Sequence, residues 1–316
     1  MPLPRTEAAS DRYRGIDTWP AGDILAAIAE AQLRAVEAVG AAIPALAAAG
    51  EAAAQRIRDG GRLIYAGAGS SGLLAQVDAL ELPGTYGIAA DTVPVLLAGG
   101  REALFEIPSG AEDDVAEAEA AVDAVGAGPA DVLVALSASG FTPYPVAALR
   151  RAQARGALTI GIASNAGTPL LTEADHPVLL ATPPEVIAGS TRMNAGTAQK
   201  CALNMLSTLI GVRLGHGYDG LMVNMRVEND KLRQRAIGIM MRAAGVDAPR
   251  AAEALRIAGN DIKPAVLLCA GAGGIDAARA ILEHCNGDLR ASLAVLAAAK
   301  AGSPAMSNDE GNRTKP

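Results

Sequence analysis

Two short segments bring glycines and hydroxyls together in a pattern able to hold an anion. Gly67-Ala-Gly-Ser-Ser-Gly72 follows the apolar run Arg62–Ala66 and precedes a helical pattern. Ser137-Ala-Ser-Gly-Phe-Thr142 follows a second apolar run, Asp131–Leu136. Glycines let backbone N–H groups approach a ligand, serines add neutral donors, and the following helix contributes its positive end. A phosphate monoester can be held this way without a lysine. Gly69, Ser70, Ser71, Ser137, Ser139, Gly140 and Thr142 are therefore the candidate phosphate ligands. Either loop alone reads equally well as caps and tight turns. Two such loops on one sheet favour a single small phosphorylated ligand. A third hydroxyl pair, Ser190-Thr191, precedes a long helix and can either cap it or line the same pocket.

The first loop also fits the dinucleotide pattern G-x-G-x-x-G. That fingerprint wants an acidic residue near the end of the next strand, for the ribose. Here the next strand runs into Leu96-Leu-Ala-Gly-Gly100, with no carboxylate, so the dinucleotide reading weakens. Two glutamates lie near the loops. Ser109-Gly-Ala-Glu112 has the spacing of a helix capping box, and Glu81 reads as a solvated charge near a helix end. Spacing alone assigns chemistry to neither.

Positioning these loops requires strands that alternate with helices. Residues 1–20 read as an extended polar arm. A helical pattern follows from Ala21 to about Arg58, with Pro44 marking a break. Strands are expected at Arg62–Ala66, Thr92–Leu97, Asp131–Leu136, Ala157–Ile162 and His176–Ala181. Helices are expected at Leu73–Leu82, Ser109–Val125, from Pro143, and from Asn194 to Leu214. Alternation of this kind means a mostly parallel sheet covered on both faces, with ligands at the carboxyl ends of the strands. After Asn224 the strands stop. Asn224–Ala244, Ala248–Gly259, Gly274–His284 and Asp288–Ala301 read as a helical appendage, and the polar tail from Gly302 is expected to fray.

The 316 residues suffice for one large α/β domain and a smaller unit, divided here as 1–220 and 221–316. Half the residues are hydrophobic but only 3% are aromatic, so aliphatic side chains must fill the core. The net charge of -7 and the absence of a basic stripe argue against nucleic-acid or membrane-surface partners. No apolar run is long enough to span a bilayer, and the N-terminus carries no apolar signal core. Cys201, Cys269 and Cys285 are odd in number and form no CxxC pair, so neither a metal site nor a redox pair is suggested, and a cytoplasmic location is expected. Of His176, His216 and His284, His216 just after the long helix is the one to watch for proton transfer, although a satisfied polar role is the plainer reading.

Several segments together resemble the sugar isomerase (SIS) family and, more narrowly, N-acetylmuramic acid 6-phosphate etherases and the related glucokinase regulatory proteins. They are Gly61–Gly72, Ala138-Ser-Gly140 with Thr142-Pro-Tyr144, Pro184–Arg192, Ala195–Lys200, Asn204–Thr208 and Gly287–Arg290. The block from Pro184 to Thr208 is the most specific. The resemblance implies a three-layer α/β/α domain with a five-stranded, mostly parallel sheet, a homodimer, a phosphorylated amino sugar as substrate, and no metal or organic cofactor. It also implies a two-carboxylate elimination in which Glu112 is the base and Glu81 the acid. The chain departs from the family pattern at four places. Leu73 and Phe141 stand where Arg is usual, Asn194 where Lys is usual, and Ala8-Ala9 where Arg-Asn follows Thr-Glu. Replacing Arg by Phe removes a charge and five donors. A non-catalytic sugar-phosphate sensor and an aldose–ketose isomerase are the competing functions on the same fold.

Overall fold

Five apolar strands form a single sheet in the computed structural model, which describes residues 4–106 and 108–302. They are β1 (Leu63–Gly67), β2 (Val95–Leu97), β3 (Val132–Leu136), β4 (Leu158–Ala163) and β5 (His176–Leu179). The spatial order is β2-β1-β3-β4-β5, and every neighbouring pair is parallel. The chain steps from β1 to one side and then crosses back to β3 on the other. The carboxyl ends of β1 and β3 therefore flank the switch point, where a crevice opens in such sheets.

Strand side chains alternate between two layers, as the pleat requires. Leu63 and Tyr65 of β1 point into a core shared with α1 (Ala21–Ala41), α2 (Ile43–Arg58), α3 (Gly69–Tyr86) and α7 (Asn194–Arg213). Ile64 and Ala66 point into the other core, with α4 (Val115–Ala124), α5 (Pro143–Ala154) and α6 (Pro169–Thr172). This is the expected three-layer arrangement. Alanine supplies much of both cores, which lets helices lie close to the sheet where aromatics would hold them off. The break at Pro44 is real: α1 and α2 meet at a 60° bend.

Local chemistry moved several boundaries. The helix expected to start at Leu73 starts at Gly69, inside the glycine loop, because nothing after β1 interrupts it. The second strand is shortened by Pro94 and a 3₁₀ turn at Ala90–Thr92. The arm is not extended. It winds through 3₁₀ turns at Arg5–Glu7, Asp11–Tyr13 and Ile16–Thr18, with Thr6 and Tyr13 buried. Beneath α3 lies a polar knot that the hydropathy pattern hides. Asp78 is buried and accepts hydrogen bonds from the Tyr65 hydroxyl at 2.8 Å, Asn204 Nδ2 at 2.8 Å and Ser207 Oγ at 3.2 Å. It ties β1, α3 and α7 together, and burial beside Asp78 pushes the Tyr65 phenol far above its ordinary pKa.

The chain divides into two compact units between Leu214 and Gly215. The second is helical: α8 (Asp230–Ala244), α9 (Ala248–Ile257), α10 (Ile262–Cys269), α11 (Ile275–His284) and α12 (Leu289–Gly302). Helix α10 escaped the sequence reading because it is buried nearly all round, from Ile262 to Leu267, and shows no polar face to set a period. Lys263 is buried within it and donates from Nζ to the Gly287 carbonyl at 2.8 Å. The tail beyond Gly302 lies outside the described residues.

Within this unit, burial, with Lys263 as a second cause, pushes His216 down to about 4. The folded value lies below the unfolded one, so on acidification the unfolded chain takes up the proton first. Stability is full above about pH 6.5 and declines as pH falls toward 4, by about 3 kcal/mol in all. Urea unfolding followed by circular dichroism between pH 7.5 and 4.5 should show this decline, and His216→Asn should flatten it.

Candidate active site

A cavity of about 450 Å³ opens at the carboxyl ends of β1 and β3. Its wall contains Gly69, Ser70 and Ser71 from the first loop, Ser139, Phe141 and Thr142 from the second, and Gly189 and Thr191 from the third. The first loop reaches the cavity because β1 and α3 touch. A Cβ on Gly72 would lie 2.7 Å from the Gly67 carbonyl oxygen and 2.5 Å from Leu97 Cδ1, so only glycine permits the approach. Helix α3 follows Ala68 with no side-chain cap. Its first-turn N–H groups, which have no carbonyl partner within the helix, face the ligand space with the positive end of the helix dipole behind them. Ser71 Oγ donates to Gln199 Oε1 of α7 at 2.9 Å, which fixes its orientation.

The second loop is organised by its own hydroxyls. Ser137 is buried; its Oγ lies 2.8 Å from Thr142 Oγ1 and 3.2 Å from Ser139 Oγ, and it accepts the Gly140 N–H at 3.0 Å. Ser139 and Thr142 line the cavity, while Ser137 and Gly140 hold the loop's shape from behind. Gly140 takes φ +78°, and a Cβ there would meet Thr168 Oγ1 at 2.3 Å.

At the third segment the structure separates two roles that spacing left open. Glu185 is buried and accepts the Asn194 and Ala195 N–H groups at 2.7 and 2.9 Å, capping α7. Burial raises its pKa against the opposing pull of those two donors. The positive end of α7 is thus used internally. Thr191 lines the cavity and Ser190 does not. Asn194, at the position where the family pattern has lysine, is buried and donates to the Pro184 carbonyl at 3.0 Å, away from the ligand space.

The carboxylates are distributed unexpectedly. Glu112 lines the cavity from a 3₁₀ turn, Ala111–Asp113. The capping-box alternative fails: α4 is capped by Asp114, which accepts the Glu117 N–H at 2.8 Å, and among the described residues the Glu112 side chain has no hydrogen-bond partner. Asp113 and Glu7 join it in the cavity wall; neither was singled out from the sequence, because a glutamate in a polar arm carries no local signal. Glu81 is not in this wall. It is solvent-exposed on α3, twelve residues beyond Gly69, or about 18 Å along the helix at 1.5 Å per residue. One chain therefore presents Glu112 but not Glu81 to the serine loops. No Lys, Arg or His lines the cavity among the described residues, and Phe141, 48% exposed, occupies its rim.

A parallel sheet with hydroxyl-rich loops at its switch point defines an α/β class with an anion-binding crevice, and residues 27–164 match the family model of the SIS domain. Full-length relatives narrow this. The chain is 48% identical to the N-acetylmuramic acid 6-phosphate etherase of Deinococcus radiodurans over 92% of its length and 95% of the relative's. It is 43% identical to that of Rubrobacter xylanophilus over 91% and 95%. A phosphoheptose isomerase of Francisella tularensis aligns at 20% identity and TM-score 0.47 over 61% of this chain and all of that one. The chain belongs to the N-acetylmuramic acid 6-phosphate etherase family.

Gly140→Ala should cost about 2 kcal/mol or more, through positive φ and the clash with Thr168. Thermal unfolding checks this, with Ser139→Ala as a control expected to unfold near the wild-type temperature.

Proposed function

We propose that this chain is a carbon–oxygen lyase that cleaves the C3 lactyl ether of N-acetylmuramic acid 6-phosphate, giving N-acetylglucosamine 6-phosphate and D-lactate. The observation that carries the reading is near-full-length identity to etherases combined with a free glutamate, Glu112, in the wall of a serine-lined cavity. The phosphate lies against the α3 N-terminus and Ser70, Ser139 and Thr142. In the open-chain aldehyde the C2 proton is acidic, and Glu112 removes it. The electron pair forms the C2–C3 double bond, the C3–O bond breaks, and the lactate oxygen takes a proton from a second carboxyl group. Water then adds across the double bond. One carboxyl must be ionised and the other protonated, so their surroundings must differ.

Glu81 fits the acid role only if a second subunit brings it to the cavity. Val77 and Leu80, beside it on α3, are 46% and 69% exposed, and an apolar hollow between α2 and α7 is lined by Ile43, Leu46, Met205 and Leu209. A homodimer packed on these faces would cover them and carry each Glu81 toward the partner's Glu112. Cytoplasmic residence belongs to the same reading, since all three cysteines are free thiols.

The sensor reading draws on the cavity's three carboxylates and on the lack of a cation in its wall among the described residues. A D-lactate release assay on wild type, Glu81→Gln and Glu112→Gln decides between them. We expect release by wild type and a loss of at least ~100-fold in each variant. Mixing the two variants through unfolding and refolding should restore activity, because a mixed dimer carries one intact pair. Binding of the sugar phosphate without any lactate release would instead make the protein a sensor.

A further inference from the structure

The N-terminal arm is fastened across the strand ends by a single side chain. Asn165, buried just after β4, accepts the Arg5 N–H at 2.8 Å through Oδ1. Through Nδ2 it donates to Thr6 Oγ1 at 3.1 Å and to the carbonyls of Ala138 and Ser139 at 3.3 and 3.1 Å. A second tie runs from the Gly189 N–H to the Thr6 carbonyl at 3.2 Å. The arm is thereby fixed to the very loop whose hydroxyls face the cavity. The next residue is Glu7, and its carboxylate lies in the cavity wall, close enough to Gly189 that a Cβ there would sit 3.1 Å from Oε2.

The sheet order gives this carboxylate a definite side. Glu112 enters from the segment after β2, at one edge. The serine loops follow β1 and β3 in the middle. Glu7 is tied to segments after β4 and β5, at the other edge. Carboxylates thus flank the hydroxyl donors from two sides. An ionised carboxylate only accepts hydrogen bonds and repels phosphate. A ligand with its phosphate on the serine loops must therefore turn hydroxyl or amide donors toward Glu7. Among the described residues none is hydrogen-bonded or ion-paired to the Glu7 carboxylate, and Glu7 is solvent-exposed, so it is accessible to such donors.

We propose that Glu7, held over the strand ends by Asn165, is a substrate-orienting carboxylate that accepts hydrogen bonds from the hydroxyl or amide donors of the bound sugar phosphate. This rests on the phosphosugar reading of the cavity. Asn165 is a positioning residue in this scheme, acting through Glu7 and not on the ligand.

Calorimetric titration with N-acetylglucosamine 6-phosphate and, separately, with inorganic phosphate tests the proposal on wild type, Glu7→Gln, Glu7→Ala and Asn165→Ala, with thermal unfolding as the folding control. Glu7→Ala should weaken the sugar phosphate by ~10-fold or more, as expected for a lost hydrogen bond to a charged group, while inorganic phosphate binds as well as before or better. Glu7→Gln, of the same shape, should fall between, and Asn165→Ala should follow Glu7→Ala. In the lactate assay the loss should fall mainly on KM. Sugar-phosphate affinity within twofold of wild type in both Glu7 variants overturns the proposal. So does parallel loss of both ligands in the isosteric Glu7→Gln. Failure of the wild type to bind either ligand is a different result: it removes the phosphosugar reading, and this proposal with it.

Discussion

The contact between the end of β1 and the first turn of α3 governs the rest of the site. Gly67 and Gly72 meet backbone to backbone, so the helix starts one residue after the strand's last neighbour and its uncapped N–H groups face the crevice. A longer connection would turn those donors toward bulk water. The contact is held from behind by Asp78, which gathers donors from β1 and α7. A buried carboxylate with three hydrogen bonds is costly to place and costlier to disturb, so α3 has little freedom to rotate or slide. Ser71, bonded to Gln199 on α7, shares this rigidity.

The electrostatics of the cavity follow from which helix ends are free. Helix α7 spends its positive end on Glu185, whereas α3 leaves its own to the ligand. A helix terminus is worth about half an elementary charge, and hydroxyls add oriented dipoles, so a phosphate can be met without a formal cation. The carboxylates around that cradle make it polar in direction as well as in composition: an anionic group is favoured at one place and disfavoured elsewhere. Phe141 adds an uncharged side chain to the same wall.

Much of this was legible in the sequence. Five apolar runs were enough to read the five strands, and the Gly-Ser loops after two of them the crevice, because strand hydrophobicity and turn chemistry are local properties. The cavity-facing members of the two loops were also legible, although Ser137 and Gly140 turned out to shape the second loop from behind and Ser190 stands outside the wall. What stayed hidden depends on long-range contact. Helix α10 lacks a polar face to betray its period. The arm reads as polar coil until Asn165 pins it. Glu112 looks like a cap until Asp114 is seen to do the capping. The separation of Glu81 from the cavity follows from the early start of α3, since each added turn at the N-terminus leaves a later residue farther down the axis.

The fastening of the arm has a consequence for how the site is assembled. Arg5 and Asn165 are separated by 160 residues, yet their contact helps build the cavity wall. Glu7 precedes all five strands in the chain, whereas its anchors at Asn165 and Gly189 follow the fourth and fifth. Closing so long a loop carries its entropic cost before any contact rewards it. The wall that gives the anion cradle its direction thus rests on a contact spanning 160 residues, whereas the cradle rests on the pairing of neighbouring strands.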